Sequence, residues 1–145
     1  MNEIVVRQAR FEDFPSLSEF DDFLGDRRID MQRGEIFVCD CAGDTAVGYL
    51  RLSTNHFFDW PLVVNLSVKE SFRRLGVGTS LLRFAIELNH LPRLYISTEQ
   101  SNTPMRELLA GIEAPVIGFV DQLNIDDERE LVYRCLLYTS PSPRD

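Results

Sequence analysis

The chain has 145 residues, with 15 Lys and Arg against 23 Asp and Glu, a net charge of −8 and 44% apolar residues. Length and apolar content suit one domain around a single core. The acidic balance argues against a general nucleic-acid binder, whose phosphate contacts need a basic surface. No apolar run approaches bilayer length and no signal-peptide pattern opens the chain, so the expectation is no membrane partner and a cytoplasmic location.

In chain order, Ile4 to Ala9 predicts a first strand, and Phe11 to Leu24 a helix with Phe14, Leu17, Phe20 and Leu24 near helical spacing. Asp21, Asp22, Asp26, Arg27, Arg28, Asp30 and Arg33 form a mixed charged segment, read as a solvated helix end and loop. Glu35 to Cys41 and Ala46 to Ser53 predict two strands joined at Ala42-Gly43-Asp44-Thr45, a hairpin signal. Cys39 and Cys41 share a strand face, but further ligands at workable spacing are missing, so buried thiols in a reducing compartment are expected and no metal. Asn55 to Trp60 reads as an aromatic-rich connection, and Leu62 to Val68 as a strand. A helix follows, with Leu81, Ala85 and Leu88 as its apolar stripe. Leu94 to Ser97 predicts a strand. Met105, Leu108, Leu109 and Ile112 mark the next helix's buried face, and Val116 to Val120 and Glu130 to Tyr133 supply late strands.

Between the Leu62–Val68 strand and its helix lies Arg73-Arg74-Leu75-Gly76-Val77-Gly78-Thr79-Ser80. Glycines let the backbone pass close to a ligand. The free N–H groups and positive dipole end of a helix's first turn make an anion site. The pattern is that of a phosphate or pyrophosphate cradle. A dinucleotide fingerprint needs a third glycine where Leu81 stands, and P-loop chemistry needs a Gly-Lys-Ser/Thr that is missing. Further on, Asn102 is placed to cap a helix with Pro104 in its first turn.

Arg73 to Gly78 resembles the R/Q-x-x-G-x-G/A signature of the GNAT superfamily of acyl-CoA-dependent N-acyltransferases, with Leu66-x-Val68 before it and Leu81-Leu82 after it. Glu99 to Leu109 is similar to that family's second motif, in which an Asn opens a helix beside the pantetheine arm. The resemblance covers residues 1 to 134. It implies a mixed α/β fold (α+β) with a central, mostly antiparallel twisted sheet, flanked by helices and splayed at the cofactor site. It further implies direct transfer of an acetyl group from acetyl-CoA to a primary amine in a ternary complex, with acyl-CoA and an amine acceptor as partners. Homodimerisation is common among relatives. Cofactor contacts would fall on Leu66, Ser67 and Val68, on Arg73 through Ser80, and on Asn102 and Met105. The backbone at Leu66 to Val68 would polarise the thioester.

Three departures bear on the chemistry. Val64 stands where the family often has Glu, Leu109 where a Tyr often protonates the thiolate, and Glu113-Ala114 where Gly-Phe usually follows the helix. Glu99, just past a strand, is the first substitute base, although such a residue is more often an exposed loop carboxylate or cap. Asp59 is second, against the simpler role of a solvated turn residue. His56 has the right intrinsic pKa but could equally pack among Phe57, Phe58 and Trp60. The alternative to an enzyme is an acyl-CoA-binding module with weak or silent catalysis.

Cys135 to Asp145 match, codon for codon, one reading frame of a transposase-type sequencing-library adapter. The expectation is a single acyltransferase domain at 1–134 with an adapter-derived tail at 135–145, whose Leu136, Leu137 and Tyr138 could still extend the last strand.

Overall fold

In the computed structural model the described residues are 3–21 and 24–135. Seven strands form one sheet, β1 (Ile4–Gln8), β2 (Ile36–Cys41), β3 (Asp44–Phe57), β4 (Trp60–Val68), β5 (Leu94–Glu99), β6 (Val116–Val120) and β7 (Glu130–Cys135). Their order is β1-β2-β3-β4-β5-β7-β6. The β1/β2, β2/β3, β5/β7 and β6/β7 pairs are antiparallel and β4/β5 is parallel, through Leu62–Tyr95 and Val63–Ile96. Helices α1 (Phe14–Phe20), α2 (Arg28–Gln32), α3 (Val77–Leu88) and α4 (Thr103–Gly111) flank the sheet. The mixed α/β, mostly antiparallel expectation is met. No helix among the described residues is long and apolar enough to cross a membrane.

The chain divides into two compact units, Met1–Ser53 with Val64–Ala85, and Thr54–Val63 with Ile86–Asp145. In the first, β2 and β3 are covered on both faces. One face packs Leu17, Leu24 and Met31 against Ile36, Val38 and Tyr49. The other carries Phe37 against Phe84 of α3, ring centroids 5.2 Å apart. Arg7 clasps this unit together. Its guanidinium donates to both oxygens of Asp13 at 2.9 Å and to Asp40 at 2.9 and 3.2 Å. Asp13 also accepts the Arg10 N–H at 2.8 Å, and Asp40 that of Ala46 at 2.8 Å. Burial pushes both carboxyls up, but the guanidinium and backbone donors outweigh it and hold them below the ordinary value.

In the second unit β5 lies between its neighbours with Leu94, Tyr95 and Ile96 buried, and α4 contributes the fully buried Leu109. β7 pairs with β5 from Leu94–Cys135 to Glu99–Glu130.

Several boundaries differ from the sequence reading. The first helix ends at Phe20, after a 3₁₀ turn at Phe11–Asp13. The charged segment holds the short helix α2, and not all of it is solvated. Asp26 and Arg28 are exposed, whereas Asp30 is turned inward to Arg27 (3.6 Å) and Arg51 (3.4 Å). The hairpin between β2 and β3 turns on Ala42 and Gly43 alone, both at positive φ. The aromatic stretch 55–60 is no connection. It is the tip of the β3–β4 hairpin, turning on Phe58 (φ +52°) and Asp59 (φ +68°). That is the two-residue geometry usually made by Asn-Gly, so sequence signals for a turn were absent. Cys39, Cys41 and Cys135 are buried free thiols. Burial pushes Cys39 up to about 11, with Cys41 and Asp40 adding, and pushes Cys135 up to about 12. Leu136 to Asp145 lie outside the described residues.

Candidate active site

The candidate cradle begins where β4 ends. Lys69 N–H donates to the Val47 carbonyl at 2.8 Å, tying the strand exit to β3. A 3₁₀ turn at Glu70–Phe72 follows, closed by Phe72 N–H to Lys69 O (2.8 Å) and Arg73 N–H to Glu70 O (3.2 Å). Arg74 at φ +66° and Gly76 at φ +91° then adopt left-handed backbone conformations within three residues. Alternation of hand gathers successive N–H groups into an anion-binding concavity. Ser80 N–H donates to Gly76 O at 2.9 Å, the first bond of α3. The N–H groups of Val77, Gly78 and Thr79 precede it, so they have no acceptor within the helix and carry its positive end.

The exposed stretch is Arg73, Arg74, Leu75 and Gly76, whereas Val77 and Gly78 are buried and Thr79 and Ser80 half-buried. Arg73 does not extend away from the turn; its Nε donates to the Val68 carbonyl at 3.1 Å. A Cβ on Gly76 would meet only Ile4 Cδ1 at 3.7 Å, an ordinary contact. What excludes a side chain there is the backbone angle, not lack of room. An open turn built from main-chain donors fits a phosphate group.

Sequence reasoning missed what holds the cradle in place. A Cβ on Gly48 of β3 would lie 2.9 Å from Val77 Cγ1, 3.3 Å from Leu81 Cδ1 and 3.3 Å from the Ser67 carbonyl. The missing side chain lets the first turn of α3 and the Leu66–Val68 strand close on β3. A glycine inside a strand is the usual mark of such close approach, and that was the available signal. Also missed was Arg51, whose Nε donates to Asn65 Oδ1 at 3.2 Å while its Nη1 meets Asp30 at 3.4 Å. It braces β4 one residue before Leu66.

In the second unit the Asn102 side chain accepts the Met105 N–H at 3.2 Å and caps α4, with Pro104 in the first turn, as expected. Met105 is half-buried. Glu99 is the last residue of β5, not a loop residue beyond it, and pairs with Glu130 of β7. Carboxylate oxygens of Glu99, Asp126 and Glu128 lie within 4.8 Å of one another. Partial burial, then the charges of Asp126, Glu128 and Glu130, push the Glu99 carboxyl up. Glu128 also accepts the Ser101 N–H. Asp59 occupies the hairpin turn, at the opposite end of β4 from Val68. The His56 side chain lies outside the described residues.

A model of the acetyltransferase (GNAT) family matches residues 4–111. The chain belongs to that family. No curated protein matches it in sequence. Among solved structures, a GNAT-family acetyltransferase from Bacillus cereus ATCC 10987 superposes with a TM-score of 0.83 at 21% identity, covering 94% of this chain and 99% of that one. The ribosomal-protein-S18-alanine N-acetyltransferase of Escherichia coli gives 0.68 at 12% identity, covering 99% of each. A putative streptothricin acetyltransferase from Bacillus anthracis str. Ames, solved in complex with acetyl coenzyme A, gives 0.61 at 19% identity, covering 72% of this chain and 62% of that one. At these identities the likeness establishes the fold.

Leu109 is 0% exposed and packed in the core. Glu113, where the family usually has Gly, keeps a left-handed backbone at φ +63°.

Proposed function

We propose that this acetyltransferase moves an acetyl group from acetyl-CoA to a primary amine by direct attack in a ternary complex, with residues 1–134 working as one catalytic domain. The observation that carries the reading is the turn from Lys69 to Ser80, where left-handed Arg74 and Gly76 lead into the first-turn N–H groups of α3, which lie ahead of its first internal hydrogen bond. These main-chain donors would hold the pyrophosphate, with Arg73, Arg74, Leu75, Thr79 and Ser80 around it. Asn102 and Met105 would flank the pantetheine arm. The cosubstrate supplies a thioester carbonyl, and backbone N–H groups of Leu66, Ser67 and Val68 are its proposed polarising donors.

The attacking amine must lose a proton. Glu99 is the proposed acceptor, because its neighbours raise its proton affinity toward the range a general base needs. Asp126 and Glu128 beside it favour a cationic amine in the approach. His56 and Asp59 are the secondary candidates, of which Asp59 is disfavoured because it stands in the hairpin turn at the opposite end of β4 from Leu66–Val68. The buried free thiols of Cys39 and Cys41 accord with a reducing, cytoplasmic setting.

Calorimetric titration of acetyl-CoA tests the cradle. Saturable binding is expected, lost in Gly76→Asp, which places a carboxylate and a strained backbone where the anion sits. Unchanged affinity in that variant, with the fold intact, overturns the assignment. A second reading, an acyl-CoA-binding module without efficient transfer, is favoured by Leu109, which offers no proton to a leaving thiolate. CoA-thiol release above background across a panel of amines removes it.

A further inference from the structure

An open cavity of about 180 Å³ lies within the first unit, lined by Ser16 and Glu19 of α1, Asp44 to Val47 of β3, and Lys69 at the exit of β4. Its walls carry two hydroxyls, two carboxylates and one ammonium. Opposite charges in so small a space attract and normally close on one another. Here they do not. Among the described residues, the side chains of Glu19, Asp44 and Lys69 form no ion pair and no hydrogen bond, and the Ser16 and Thr45 hydroxyls are equally unengaged.

The backbone keeps these groups apart. Ser16 and Glu19 stand three residues apart on α1 and so share one of its faces. Ala46, 2% exposed, holds a left-handed φ of +52° inside a strand, an uncommon conformation for a residue with a Cβ. Its N–H donates to Asp40 Oδ1 at 2.8 Å, so the Arg7 clasp fixes the kink that carries Asp44 and Thr45. Lys69 is set by its own N–H, bonded to the Val47 carbonyl at 2.8 Å. It is the only lysine in the chain. A lysine brings a compact charge on a flexible stem, which travels to a ligand more readily than a guanidinium fork.

Size and charge then define what fits. The volume is below the ~300 Å³ at which drug-sized sites begin. It equals the share of about six waters at ~30 Å³ each, the scale of a small α-amino acid. A lone anion would face two carboxylates, and a lone cation would face the ammonium. A zwitterion satisfies both, and the hydroxyls can donate or accept beside either end. We propose that this cavity binds a small α-amino acid as its zwitterion, with the carboxylate at Lys69 and the ammonium between Glu19 and Asp44. Held there, the amine stays protonated and has no lone pair with which to attack a thioester, so this molecule is not the acyl acceptor. The claim is independent of the cradle, because binding is read without acetyl-CoA.

The single lysine makes the test direct. The full chain grown with isotopically labelled lysine gives one amide signal by NMR, that of Lys69. Titrated L-alanine should move it along a saturating curve with half-saturation in the millimolar range, as suits partly exposed charges. Propionate and ethylamine, each carrying one end of alanine, should need roughly tenfold more or fail to saturate. Glu19→Gln combined with Asp44→Asn should abolish saturation with an unchanged circular dichroism spectrum, whereas Glu107→Gln on α4 should leave the curve as it is. The comparison of the three probes needs no variant at all. A shift that never saturates in that range overturns the proposal. Ethylamine or propionate matching alanine overturns it too, as does saturation that survives the double substitution.

Discussion

Gly48→Ala should weaken both the fold and the cradle, and the competing effects can be sized. Replacing a strand glycine with alanine would by itself stabilise by about 0.5–1 kcal/mol, through the reduced entropy of the unfolded chain. Against this, the new methyl would sit 2.9 Å from Val77 Cγ1 and 3.3 Å from both Leu81 Cδ1 and the Ser67 carbonyl. Leu81 can adjust its tip. Val77 cannot rotate away cheaply, because a β-branched side chain in a helix has essentially one χ1 rotamer. The Ser67 carbonyl belongs to β4 and moves only with the strand. Overpacking of this kind costs about 1–3 kcal/mol, so the clash outweighs the gain, by roughly 1 kcal/mol at mid-range and by about 2.5 kcal/mol at most. For a chain of this length that lowers Tm by about 2–10 °C. The shift falls on the first turn of α3, so acetyl-CoA affinity should drop as well. Thermal denaturation followed by calorimetric titration reads both. Val77→Ala in the same background should return more stability than it costs alone, a coupling that a double-mutant cycle exposes. Unchanged Tm and affinity in Gly48→Ala would refute the idea that this glycine seats the helix.

Other perturbations have equally definite outcomes. Glu99→Gln should cut kcat with little change in KM, and the acid limb of the wild-type rate profile should lie above the ordinary Glu range because the Glu99 carboxyl is pushed up; a limb at or below that range would remove Glu99 as the base. Asp13 and Asp40 are held below their ordinary value, so they contribute stability that is full above the unfolded pKa of about 3.9 and lost as pH falls through the folded values. Arg7→Gln should destabilise by about 2–4 kcal/mol at pH 7 and flatten that acid loss in urea titrations; an unaltered acid dependence would show that the clasp is not its source. Glu113→Gly, at φ +63°, should raise stability by about 1 kcal/mol, read as a higher urea midpoint. Leu109→Tyr should lower Tm rather than raise kcat, because the site is fully buried.

What the sequence made legible was what depends on local chemistry. Arg73 to Gly78 could be read because a glycine-bearing turn before an amphipathic helix specifies a backbone shape nearly unaided, and Asn102 with Pro104 because capping is decided within one turn. The hairpin tip escaped because Phe58 and Asp59 sit at left-handed angles without the Asn or Gly that would announce them. The five-residue helix α2 was hidden in a longer charged segment, with Asp30 turned inward by Arg51, 21 positions away. Gly48 gained its meaning only when Val77, Leu81 and Ser67 arrived against it. Packing partners distant in sequence are what composition and periodicity do not encode.

A recognition surface made of main-chain amides is almost indifferent to the identity of the residues that carry them. Around Arg74 and Gly76 the chain must keep a path, not a set of functional groups. Lineages built on such a path can replace most of their exterior and much of their interior while retaining the same handle for an activated acyl donor. Divergence then concentrates where the other reactant enters. On the proposed function, the carboxylates of Glu99, Asp126 and Glu128 would be the part open to rewriting for each new nucleophile.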